Sequence, residues 1–141
     1  MKTGRYNVAA GLLVMAGFML YGFLLVYRRD VAPDREAWIA ADATGQHFEA
    51  RLAHVHGALF SLLNLALGFV LARLAAAPAR ARAAVAGLGL AGLLMPAGIL
   101  GEVYLALPPV LVLLGALAMT AAVALAGALA LRHWPDPEET P

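Results

Sequence analysis

Four stretches of this chain carry no charged residue over a length close to the thickness of a bilayer, and nothing else constrains the fold as strongly. They are Asn7 to Tyr27 (21 residues), Val55 to Ala72 (18), Ala83 to Gly101 (19) and Val103 to Leu131 (29, with Pro108 and Pro109 near its start). A helix that crosses the hydrocarbon core needs about 20 such residues, because nothing but its own hydrogen bonds satisfies the backbone there. A soluble domain has about a quarter of its residues charged, whereas here the share is 13%, against 62% hydrophobic. A length of 141 residues fits one domain. The expected fold is all-α, an integral membrane bundle of four transmembrane helices spanning about 7–27, 47–72, 83–101 and 109–131, with 132–141 as a flexible cytoplasmic tail.

Lys2 and Arg5 look like the basic head of a signal peptide, but the apolar block behind them exceeds the usual ~7–15 residues. The first run is therefore expected to stay as a helix. The absence of cysteine excludes disulfides, thiolate metal sites and thiol nucleophiles. A net charge of +1 with no basic stripe leaves nothing to bind nucleic acid. No phosphate-binding loop, nucleophile triad, carboxylate pair or zinc signature is present, so soluble hydrolase and nucleotide chemistry have no residues to rest on.

Basic residues near helix ends set membrane orientation. With four spans, both termini share a side with the second loop. That side holds Lys2, Arg5, Arg73, Arg80, Arg82 and Arg132. The other holds Arg28, Arg29, Arg35 and Arg51, diluted by six acids including Asp30, Asp34, Asp42 and Glu102. Cytoplasmic termini in a bacterial-type inner membrane follow, with the long first loop outside. Within that loop, Pro33 and Asp34 are expected to start a short interfacial helix carrying Trp38. Thr44 is a candidate cap for helix two. Pro96, well inside helix three, predicts a kink that frees the carbonyl of Gly92. Helix four has only Thr120 as a polar group and reads as a packing or lipid-facing element.

Three of the four histidines stand at the outer end of helix two, in "HFEARLAHVHGALFSLLN". On a wheel at about 100° per residue, His47, His54, Gly57, Ser61, Asn64 and Gly68 share one small, polar face, with Arg51 at its edge. His56 points about 160° away from His54, so the two imidazoles do not form a chelating pair. A polar stripe inside the membrane must face protein or a cavity. Two readings stand side by side. In one, His54 or His56 ligates a haem iron or other metal while Gly57, Ser61 and Asn64 line the pocket below. In the other, the histidines sit wet at the interface, and Ser61 and Asn64 bond neighbouring helices. Glu102 and Tyr104, on the same membrane side, are candidates to join the site, Glu102 by orienting an imidazole or pairing with Arg51.

The elements "RLAHVHG", then Asn64 on the same helix, then "GEVYLALPP" after a third span, resemble the small four-helix membrane proteins of the styrene oxide isomerase type. The resemblance covers roughly Glu49 to Pro109. It implies haem b held by His54 or His56, isomerisation of an epoxide with the ferric iron as Lewis acid, Asn64 as a hydrogen-bonding group for substrate and Tyr104 as the phenol that orients its oxygen. "AHVHGALF" is also similar to a helix of the catalytic subunit of haem–copper oxidases, where histidines on other helices complete the metal centres. The other spans of this chain supply none, which leaves a five-coordinate haem or one shared between protomers. The function expected is a membrane isomerase or redox protein acting on a small apolar substrate within the lipid bilayer, as a homo-oligomer or in a larger complex. The competing class is a non-catalytic accessory, assembly or permease-like subunit.

Overall fold

The computed structural model describes residues 4–43 and 45–135. Thr44, Lys2 and residues 136–141, most of the expected tail, lie outside them. Six helices follow in order: α1 (Arg5–Asp30), α2 (Arg35–Ala40), α3 (Gly45–Arg73), α4 (Ala79–Gly92), α5 (Leu94–Leu105) and α6 (Val110–His133). Four crossings are long and apolar enough to span a membrane: α1, α3, α4 with α5 taken together, and α6. The protein is a multi-pass, all-α membrane bundle, as its four uncharged runs require. Helix four runs to His133, two residues into the expected tail.

Lipid tails are as apolar as leucine, so burial alone does not hold such helices together; close packing and hydrogen bonds do. The most extensive pairing is α1 against α3. Small residues bring the backbones together: a methyl group on Gly11 would stand 2.7 Å from the Ser61 carbonyl oxygen, and one on Gly68 would stand 2.8 Å from that of Gly4. On the opposite side α6 packs on α4 and α5, with Gly115 set against the Met95 backbone and Gly98 against Val112.

The third crossing divides at Leu93, three residues before Pro96. Proline cannot donate to the Gly92 carbonyl, and the chain passes the gap through a tighter turn in which Leu93 N–H donates to Leu90 at 3.1 Å. The kink read from Pro96 is therefore present. It redirects α5, which carries Glu102 and Tyr104 at its far end. There α5 stops on Ala106 in the left-handed region (φ 52°), and the next N–H, that of Leu107, closes on the Gly101 carbonyl at 3.2 Å.

The two ends of the bundle differ. Toward the α3–α4 connection, Leu67, Leu71, Leu74, Val85, Met119 and Leu129 belong to one continuous apolar core. Toward α2 lie three of the four histidines, the ion pairs of Arg28 and Arg51, and the tyrosine pair.

Candidate functional site

The polar face of α3 meets α1 along its length, and its lower half is fully used in packing. Ser61 and Asn64 are completely buried. Asn64 Nδ2 donates to the carbonyls of Phe60 (3.1 Å) and Gly89 (2.8 Å). Its Oδ1 accepts from Asn7 Nδ2 at 3.0 Å, and that nitrogen also donates to the Ala86 carbonyl at 3.0 Å. Ser61 Oγ donates back to the Gly57 carbonyl at 2.6 Å. The Phe18 ring covers Gly57, so closely that a β-carbon there would collide with it. Gly57, Ser61 and Asn64 thus lie in a helix interface, with no volume between them and α1 for a planar guest.

Above this clamp the arrangement opens. His54 lays its ring over Gly22 of α1: a β-carbon on Gly22 would stand 2.8 Å from His54 Cε1. His54 Nδ1 is buried and has no hydrogen-bond partner among the described residues. The ring lines a groove of about 270 Å³ between α1 and α3, floored by Gly22, Leu25 and Val26 and edged by Arg29, His47 and Arg51. Beside His54, with ring centroids 6.4 Å apart, stands Tyr21. Its hydroxyl shares a 2.9 Å hydrogen bond with that of Tyr104. Tyr21 also borders a second groove of about 300 Å³, lined by Val14, Gly17, Phe18 and Leu100. Tyr21 is thus the link between His54 and Tyr104.

His56 is on the opposite edge of the buried arc, as the wheel requires. Its Nδ1–H donates to the Leu52 carbonyl at 2.9 Å, and its ring leans toward Phe60, 6.3 Å between centroids. The outermost histidine, His47, is tied to α2. Its Nδ1–H donates to the Trp38 carbonyl at 2.7 Å, and its ring stacks on the Trp38 indole at 4.6 Å. The Arg28 guanidinium lies over that same indole at 4.7 Å and is paired with Asp34 at 2.9 Å. Trp38, expected at the membrane interface, is consequently buried. α2 nevertheless starts after Asp34, where Pro33 and Asp34 predict it.

Arg51 pairs with Asp42, not with Glu102 as one expectation had it. Glu102 keeps one carboxylate oxygen buried without a partner among the described residues, and it touches no imidazole through a hydrogen bond. The nearby end of α5 is tied to α3 by Gln46, whose amide donates to the Val103 carbonyl at 3.5 Å. Among the described residues no three histidine, aspartate or glutamate side chains gather as a metal cage. The donor set at His54 is a single imidazole, which suits a haem iron that brings its own four nitrogens and does not suit a protein-built tetrahedral zinc site.

Sequence reasoning missed Asn7, Gly22, Tyr21 and Arg29. The signal was present: a wheel of helix one puts Asn7, Gly11, Phe18, Gly22, Leu25 and Arg29 within an arc of about 60°, and this is the stripe that meets α3. No family matches this chain, and no curated protein or solved structure matches it either.

Proposed function

We propose that this multi-pass membrane protein lies in a bacterial-type inner membrane with both termini cytoplasmic and holds haem b through His54. One observation carries the reading: the His54 ring lines a groove at the α2 end and makes no hydrogen bond among the described residues. Buried polar atoms are rarely left unpaired, and in a membrane an ionisable group of this kind is a functional suspect by default. Gly22 supports it, because any larger residue would push the ring off its seat.

When bound, ferric haem supplies an electrophilic or one-electron centre. The chain's own residues would do the rest. In the Tyr21–Tyr104 pair one hydroxyl donates to the other, which leaves one O–H free to hold the oxygen of a small apolar substrate. The groove beside Tyr21, with only that phenol as a polar group, gives such a molecule a path from the lipid. An isomerase acting on an oxygen-bearing apolar compound is the activity that best fits. Asn64 has no part in it: it lies about 15 Å below His54 along α3, and its amide is committed to Asn7 and Gly89.

A second reading has its own support. Ser61 bonds back to its own helix, and Asn64 ties α3 to Asn7 of α1 and Gly89 of α4, packing that a non-catalytic accessory subunit would also require. Purification from haem-replete cells separates the two. A Soret band lost in His54→Ala and kept in His56→Ala is expected; loss in His56→Ala alone would move the ligand to the histidine whose Nδ1–H is already fixed by Leu52. Colourless protein that travels with a large membrane complex would favour the accessory role.

A further inference from the structure

Arg29 and Arg51 stand at the mouth of the groove that His54 lines, one from each wall. α1 and α3 run in opposite directions here, so both guanidinium groups lie at the water-facing edge. Gly22 is about 10 Å deeper on α1, and His54 about 4.5 Å deeper on α3. The groove is therefore amphiphilic along its depth, with leucine, valine and glycine at the bottom and two cations at the rim.

Each arginine already has an acidic neighbour. Arg29 donates to both oxygens of Asp30 at 2.8 Å through Nε and Nη2, and Arg51 pairs with Asp42 through Nη1. A guanidinium carries five N–H donors. Arg29 thus keeps three, two on Nη1 and one on Nη2, and Arg51 keeps four, on Nε, Nη1 and Nη2. Both side chains are about half exposed and line the groove. His47 is already engaged: Trp38 holds its Nδ1–H and ring face, and its Nε2 stands 3.7 Å from the Asp42 carboxylate.

We infer that Arg29 and Arg51 form a carboxylate-binding rim that holds the two propionates of a haem seated against His54. The inference rests on the haem reading above and adds to it the polarity of the bound group, with carboxylates outward at the α2 end. Planar guanidinium groups suit carboxylates because two parallel N–H donors meet two oxygens.

The test is a titration of the full-length, detergent-solubilised protein with haemin and with haemin dimethyl ester, whose propionates cannot ionise, followed at the Soret band. Wild-type protein is expected to bind the ester about ten- to hundredfold more weakly, the range of charge-assisted hydrogen bonds lost from a partly exposed site. Arg29→Gln with Arg51→Gln is expected to bring haemin down to the level of the ester, to leave ester binding unchanged and to keep the position of the Soret maximum. Equal affinity for haemin and ester in wild-type protein, with a Soret band that depends on His54, would overturn the rim and spare the haem site. If the double variant instead loses co-purifying phospholipid phosphorus while both porphyrins bind alike, the rim serves a lipid headgroup and the inference fails. No His54-dependent band with either compound removes both proposals. Comparison with the ester on wild-type protein stands even where the double variant does not fold.

Discussion

Asn64 donates to two carbonyls and accepts from Asn7, so one amide joins three helices at a depth where water cannot replace a lost bond. Removing either partner leaves a buried polar atom, with a cost of about 1–3 kcal/mol. The net value of the pair is smaller, since helices separated in lipid find other partners; about 0.6 kcal/mol is usual and about 1.7 the upper end. A double-mutant cycle of Asn7→Ala and Asn64→Ala, read by denaturant unfolding in mixed micelles, is therefore expected to give a coupling within that range. A coupling of zero would mean that the two amides do not meet. The wheel of helix two showed that Asn64 faces protein, but it could not name the partner. That partner depends on the register of α1 against α3, fixed by glycine contacts such as Gly11 on Ser61 and Gly4 on Gly68. The same limit hid Tyr21: no pattern within one helix says that a phenol on α1 will reach a phenol on α5.

At the scale of elements, position and length were legible and packing was not. Uncharged runs set where each crossing lies, and Pro96 announced a break whose observed place is Leu93. Trp38 stands on the short helix expected for it, but its burial was not legible there, because the indole is stacked between Arg28 and His47, which lie on two other helices. Glycine illustrates the same gap. Gly115 and Gly127 both lie on α6 and look alike in sequence. A β-carbon on Gly115 would collide with the backbone of Met95, whereas one on Gly127 would meet nothing within 4 Å. Gly115→Leu is accordingly expected to force α5 and α6 apart and lower stability by about 1–3 kcal/mol. Gly127→Leu should stay within about 0.5 kcal/mol of the parent. Thermal unfolding of the two variants in detergent measures the difference, and equal losses would show that α5 does not approach α6 through Gly115.

The whole molecule is asymmetric along its axis, with a continuous apolar core toward the α3–α4 connection and polar chemistry toward α2. The sequence carries the same asymmetry in its charges: six basic residues on the side of the termini, four on the side of α2. Short basic loops are retained in the cytoplasm, so the α2 end should face outward. The chain lacks cysteine, which makes the orientation directly measurable with single introduced thiols. Glu36 in α2 and Ala76 in the α3–α4 connection are both exposed. In intact spheroplasts a membrane-impermeant maleimide is expected to label Glu36→Cys at once and Ala76→Cys only after lysis. Replacing Arg73, Arg80 and Arg82 by glutamine leaves three basic residues, Lys2, Arg5 and Arg132, against the four of the α2 side. Both thiols should then label in a mixed population, because the bias that fixes the orientation has been reversed. Labelling of Ala76→Cys in intact spheroplasts of the parent chain would invert the topology, and the groove with its two arginines would then open to the cytoplasm.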